Sequence, residues 1–177
     1  MPEGELITFQ IRVNGKPSGP RQVPADLPLI DFLQDEIGLT GTKLCCGIGV
    51  CRACTVAVRT VPQAAPVPVL SCSTPVSAVN GQEVHTVEGL AGPGGPSPLQ
   101  RSFLDHFAFQ CGYCTPGFLM AATILVESLK QRPIPRSQCD AAIAQACGQH
   151  ICRCTGYVRY YEAIHQVLLE TPGLVLP

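Results

Sequence analysis

The chain has 177 residues, with 12 Lys and Arg against 13 Asp and Glu, and 11 cysteines. A net charge of −1 lacks the basic footprint of a nucleic-acid binder, and a charged fraction of 14% is well under the roughly 25% of ordinary soluble domains. The longest apolar run, Phe118 to Val126, contains Thr123 and is too short to span a bilayer. The start, Met1-Pro2-Glu3-Gly4-Glu5, carries neither a basic n-region nor an apolar h-region. The expected location is therefore the cytoplasm, with export beside a signal-bearing partner as the alternative. In a reducing compartment structural disulfides are rare, and an odd cysteine count leaves one thiol over.

In chain order, Ile7 to Val13 alternates between faces and ends at Asn14-Gly15-Lys16, a strong hairpin turn signal; a strand around Arg21 to Val23 is expected to pair back. Leu29, Ile30, Phe32, Leu33 and Ile37 then recur at helical spacing, with Asp26 as N-cap and Gly38 as stop. Strands are expected at Thr55 to Arg59, Val67 to Leu70 and Glu83 to Val87, giving an α+β unit with one helix across a sheet. The stretch from Arg59 to Leu70, RTVPQAAPVPVL, reads as an extended hairpin or a partner-facing loop. Gly89 to Pro98, with four Gly and three Pro, is expected to hold neither helix nor central strand and so to be the domain boundary. Helices are expected at Leu99 to Phe109, Pro116 to Leu129 (with Thr115 as N-cap), Ser137 to Ala146 and Tyr157 to Leu169, a small four-helix bundle.

Cys46, Cys51 and Cys54, with Cys72 downstream, have the C-x4-C-x2-C…C spacing of a plant-type 2Fe–2S site. Three thiolates on one tight loop must wrap two irons, and Gly47 and Gly49 let that backbone bend sharply and approach closely. Zinc ribbons present paired C-x2-C knuckles and fit this run poorly. The second set is Cys111-Gly112-Tyr113-Cys114 and Cys152-Arg153-Cys154. Alone, C-x2-C serves zinc, redox dithiols and iron–sulfur sites alike. A thioredoxin-like dithiol would need a βαβ context, and C-x-C suits two thiolates sharing one iron better than a zinc knuckle. Cysteines at helix starts would also place an anionic cluster near helix N-termini.

The stretches Gly41-Thr42-Lys43, Cys46 to Cys51, Ala53 to Val56, Glu88-Gly89-Leu90, Gln110 to Gly117 and Cys152 to Tyr157 together resemble the small iron–sulfur subunit of the xanthine oxidase and aldehyde oxidoreductase family of molybdenum hydroxylases. The resemblance implies a ferredoxin-like β-grasp domain over residues 1–88, a linker over 89–98 and a helical 2Fe–2S domain over 99–177. It implies metal ligands Cys46, Cys51, Cys54 and Cys72 for one cluster, and Cys111, Cys114, Cys152 and Cys154 for the other. A large partner subunit would carry the molybdopterin cofactor and hydroxylate an aldehyde or an N-heterocycle, with an aldehyde expected. Electrons would pass first to the Cys111 set, then to the Cys46 set, then to FAD or haem on a flavin-binding or cytochrome subunit. Gln110 and Cys154 would lie against the pterin. The competing readings are a free-standing ferredoxin-like carrier and, in a different class, a zinc-stabilised interaction module. Few charges suit an obligate subunit better than a carrier steered by charged patches.

Several residues depart from the family pattern. Cys45 stands where glycine is usual and adds a thiol beside Cys46, although its spacing to Cys51 is one residue too long. Arg52 replaces a common glycine; it is read either as a solvated side chain or as a positive charge that raises the first cluster's potential. Gln149-His150 stands where Gly-Asn is usual. Cys139 and Cys147 are expected as small buried hydrophobes. His85, His106, His150 and His165 are expected as surface or satisfied residues, and Phe103, Phe107, Phe109 and Phe118 as helix core.

Overall fold

The computed structural model describes residues 5–61 and 63–177. Met1 to Gly4, part of the N-terminal segment weighed above, and Pro62 of the proline-rich stretch lie outside the described residues. β1 (Leu6–Val13) and β2 (Lys16–Pro24) form the expected hairpin, with Asn14 and Gly15 both at positive φ (51° and 78°), as its two-residue turn requires. β2 is longer than the Arg21 to Val23 expected, because Lys16, Pro17 and Ser18 also pair with β1 beyond an irregularity in the register. β3 (Thr55–Arg59) and β4 (Val67–Leu70) pair antiparallel, so the proline-rich stretch is a hairpin. β5 (Glu83–His85) completes a mixed sheet of order β2-β1-β5-β3-β4, parallel only between β1 and β5. β5 stops short of Val87 because the Thr86 N–H leaves the ladder and donates to Asn14 Oδ1 at 2.9 Å.

Phe9, Ile11 and Val13 alternate inward from β1 and meet Phe32 and Leu33 of the crossing helix, Phe9 and Phe32 edge to face at 4.8 Å. That helix is α1 (Leu29–Asp31), which widens into a π-helical turn at Phe32–Glu36 and ends before Gly38 at φ 72°. Asp26 does not cap it. The N–H groups of Leu29 and Ile30 donate to Thr74 O (2.8 Å) and Ser71 O (3.1 Å), so tertiary carbonyls satisfy the helix start.

The second half carries α2 (Pro98–Asp105), α3 (Thr115–Gln131), α4 (Cys139–Cys147) and α5 (Val158–Glu170). The stretch expected to be featureless contributes at both ends. Gly89 and Leu90 lie in a 3-10 turn over Val87–Leu90, and Pro98 opens α2 behind a Ser97–Gln100 capping box. α2 ends at Asp105 rather than Phe109. Phe107 takes φ 47°, and the Ala108 N–H returns to Phe103 O at 2.9 Å, a Schellman-type stop. Phe107 is consequently 74% exposed and is not core, whereas Phe103 and Phe118 are buried. They pack with Ile143, Tyr160, Ile164 and Leu168, and Phe118 stacks on Tyr160 at 4.3 Å. Cys139 and Cys147 are fully buried in this cluster, as expected. A short β6 (Ile134–Pro135) pairs parallel with β7 (Val175–Leu176), tying down the C-terminus.

The halves are packed together. β3 is buried along Thr55 to Val58, one face in the sheet core and the other against α3. Arg59 of β3 pairs with Glu127 of α3 across this contact. No described helix is long and apolar enough to cross a membrane.

Candidate metal centres

The loop between α1 and β3 carries Cys46, Cys51 and Cys54. Gly47 and Gly49 hold φ of 70° and 74°, which turns the loop around Cys46. The Cys51 N–H donates to Cys46 Sγ at 3.4 Å. The amides of Cys51 and Ile48, then that of Val50, pull the Cys46 thiol down to about 6, so the loop favours an anionic sulfur before any metal arrives. Cys54 is buried and its thiol is pushed up to about 12, first by that burial and then by Cys72 beside it. Cys72 arrives from the turn after β4, where Ser71 donates its hydroxyl to Cys54 O at 2.8 Å. Cys45, by contrast, is exposed. Glu88 steadies the approach to the loop, its carboxylate accepting the Gly41 N–H at 2.7 Å.

In the helical half, Cys111 Sγ and Cys154 Sγ stand 3.6 Å apart at the surface. Cys114 and Cys152 are buried behind them and in contact with each other. Burial pushes the Cys114 thiol up to about 11, against a contact with Tyr160. At Cys152 burial works the same way, but the Thr155 hydroxyl (3.1 Å) and the amides of Thr155 and Cys154 outweigh it and leave the thiol lowered. The Cys152 N–H donates to the Tyr157 hydroxyl at 3.1 Å, with Tyr157 itself at φ 73°. Gln110 donates its side-chain amide to Cys154 O at 2.9 Å, so these two exposed residues lie side by side at the outer rim.

The thiols therefore stand in pairs: Cys46 with Cys51, Cys54 with Cys72, Cys111 with Cys154, and Cys114 with Cys152, so the two thiols of the C-x-C run belong to different pairs and do not share one metal position as expected. Among the described residues no three His, Cys, Asp or Glu side chains converge on one ion position. Two thiolate pairs per site fit a group with two metal positions, each taking two sulfurs, better than a tetrahedral zinc. Bound iron would also supply the positive charge that the buried thiols Cys54 and Cys114 lack.

The two loops touch. The Ile151 N–H, one residue before Cys152, donates to the carbonyl of Cys51 at 3.1 Å. Gly117, in the first turn of α3, leaves no room for a side chain, because a Cβ would lie 2.4 Å from Arg52 O. Arg52 sits at this seam with φ 61°, a left-handed conformation natural to glycine. Arg52→Gly is expected to relieve about 1–2 kcal/mol of backbone strain. Removing its charge should also lower the midpoint potential of the neighbouring centre by tens of millivolts, the scale of charges several ångströms apart at an effective dielectric near 20. Redox titration showing an unchanged potential would return Arg52 to a mere surface residue.

Two sequence expectations change at this site, and one residue in it went unanticipated. Thr115 is the first residue of α3 rather than its cap, and its hydroxyl bonds to Tyr160 OH at 2.8 Å. His150 is buried, not at the surface: its Nε2 lies 3.1 Å from Thr55 Oγ1, its Nδ1 has no partner, and burial followed by the Arg52 charge lowers it to about 4. Tyr160, whose hydroxyl is 3.5 Å from Cys114 Sγ, was not singled out at all. It sits on the apolar face of an amphipathic helix, where a phenol reads as core. Thr155 and Tyr157 lie within the Cys152 to Tyr157 stretch quoted above, but their hydroxyl partners follow from the turn geometry and not from spacing.

Residues 11–77 match the 2Fe-2S iron-sulfur cluster binding domain family, and residues 86–165 match a second, the 2Fe-2S binding domain family. The isoquinoline 1-oxidoreductase subunit alpha of Brevundimonas diminuta is 41% identical, over 89% of this chain and 95% of its own. The nicotine 6-hydroxylase small subunit of Paenarthrobacter nicotinovorans is 38% identical, over 97% and 93%. The crystal structure of quinoline 2-oxidoreductase from Pseudomonas putida 86 superposes with a TM-score of 0.75 at 34% identity, covering 96% of this chain and 93% of that one.

Proposed function

The chain belongs to the small 2Fe–2S subunits of the molybdenum hydroxylases, an electron-relay subunit with two clusters, and from that premise we propose how its residues divide the work. Cys46, Cys51, Cys54 and Cys72 hold one cluster in the sheet half, with Gly47 and Gly49 shaping the loop. Cys111, Cys114, Cys152 and Cys154 hold the other among α2 to α5, which act as a four-helix bundle. Residues 1–88 and 99–177 are the two domains, joined by 89–98. A 2Fe–2S cluster, once bound, takes up and gives up single electrons. With all four ligand positions filled by protein sulfur, neither site has room to bind and polarise a substrate, so this chain relays electrons and performs no hydroxylation.

The direction is the one the family resemblance implies, and the exposure of the two rims accommodates it. Cys111 and Cys154 open to the surface beside Gln110, and this rim receives electrons from a large subunit that carries the molybdopterin cofactor. Gln110 and Cys154 face that cofactor. The hydrogen bond from the Ile151 amide to the Cys51 carbonyl then joins the two sites directly, the observation that carries this reading. The sheet-half loop, with Leu44, Ile48 and Val50 exposed, faces the outgoing acceptor, a flavin-binding subunit or a cytochrome. The names of the similar proteins, isoquinoline 1-oxidoreductase, nicotine 6-hydroxylase and quinoline 2-oxidoreductase, favour an N-heterocycle over an aldehyde as the partner's substrate. The test is co-purification: the chain should emerge with a molybdenum-containing large subunit, and an N-heterocyclic substrate should reduce its iron–sulfur absorbance. A chain that purifies alone and is reduced by a soluble reductase would support the free-carrier reading instead.

A further inference from the structure

The seam between the two thiol groups contains a histidine that the relay reading does not yet use. His150 is 3% exposed, with the ring of Phe118 centred 5.0 Å away. Its Nε2 lies 3.1 Å from Thr55 Oγ1. The Thr55 hydroxyl donates to Arg52 O at 2.8 Å, so its one hydrogen is committed and its oxygen accepts from Nε2–H. The hydrogen-bond network thus assigns the Nε2–H tautomer and leaves Nδ1 a buried acceptor with no partner. An unsatisfied buried polar atom is destabilising, a penalty that an apolar residue at this place would avoid. What the imidazole makes in return is a bond across the seam. His150 is two residues before Cys152, and Thr55 immediately follows Cys54, so one chain of donors runs from the Cys152 loop through Thr55 to the backbone of the Cys54 loop.

We propose that His150 is a positioning residue for electron transfer between the two centres. Through Thr55 it seats the Cys152 loop on the Cys54 loop, and so holds the Ile151 N–H on the Cys51 carbonyl. The inference rests on the two-cluster relay reading. In the step concerned one electron leaves the helical-half centre and one arrives at the sheet-half centre. No bond forms or breaks and no proton moves, so the contribution of His150 is separation and bonded path alone.

The test uses the complete complex with both clusters loaded. His150→Leu and Thr55→Val remove the same hydrogen bond from opposite ends, and His150→Gln restores a side-chain N–H. The readout is the magnetic splitting that two nearby reduced clusters impose on each other's EPR signals, measured with the potential of each. The expected result is unchanged iron content, a narrower splitting in the Leu and Val variants, and recovery in the Gln variant. Full wild-type splitting in Thr55→Val, with both clusters present, would overturn the proposal, and this holds even should His150→Leu fail to fold. A wild-type complex with a single cluster signal would instead sink the relay reading itself, so the two failures are told apart.

Discussion

Replacing Cys114 by serine is expected to erase one of two iron–sulfur EPR signals and leave the other intact. A serine hydroxyl is a far weaker soft-metal ligand than a thiolate, and the pocket around Cys114 offers no substitute: its neighbours are Cys152, the Tyr160 hydroxyl and the start of α3. Cys54→Ser should erase the other signal for the same reason, because Cys54 is buried against Cys72 with Ser71 bonded to its carbonyl. Two controls separate ligation from general damage. Cys45→Ser should keep both signals, since Cys45 is exposed and the amides of Cys51, Ile48 and Val50 gather on Cys46. Cys147→Ala should keep both signals too while losing stability, since Cys147 is fully buried among apolar side chains. Retention of both signals in Cys114→Ser would remove that residue from the ligand set. Loss of a signal in Cys45→Ser would shift the ligand by one position.

The second large effect is expected at Gly117. An alanine Cβ there would lie 2.4 Å from Arg52 O and within 3.2 Å of Ala53 O, both backbone atoms that cannot swing aside. The helix must then move off the loop, at a cost of about 2 kcal/mol, or roughly 4–8 °C in Tm for a chain of this size. The displacement falls on the seam where Ile151 meets Cys51 and His150 meets Thr55, so transfer between centres should slow even in the folded fraction. Gly94→Ala is the matched control, since nothing lies within 4 Å of its Cβ position and its φ is ordinary. Thermal unfolding with intercluster transfer read on the same samples checks both halves of the prediction. Equal behaviour of the two variants would mean that the seam is slack.

Local rules read the hairpin and sheet well. Asn14-Gly15 specified its own turn, and β3 and β4 begin and end where alternation and turn residues placed them. The rules failed where distant residues supply what a local motif usually provides. Asp26 and Thr115 are sound capping residues by type. Carbonyls of Ser71 and Thr74 start α1 instead, and Tyr160 takes the Thr115 hydroxyl. Phe107 followed the apolar spacing of α2 but falls at a left-handed helix stop, which periodicity does not reveal. The eight expected thiols were legible because their spacing along the chain is the spacing a two-iron group asks of its ligands, and the structure brings them together in pairs. His150, Gly117 and the Cys51–Ile151 bond were not, because they matter only once β3 and α3 are packed face to face. The low charge content has a partial structural counterpart in the exposed Leu44, Ile48, Val50, Phe107, Tyr113 and Val158.

On the proposed reading, two centres in this one chain, joined at Cys51 and Ile151, pass electrons in series. Freeze-quench EPR of the assembled enzyme during its first turnover tests it most directly, with each signal assigned through the Cys114→Ser and Cys54→Ser variants. Two signals are expected, the helical-half centre reduced first and the sheet-half centre after it. A single signal, or reduction of the sheet-half centre in an enzyme whose helical-half centre has been removed, would contradict it.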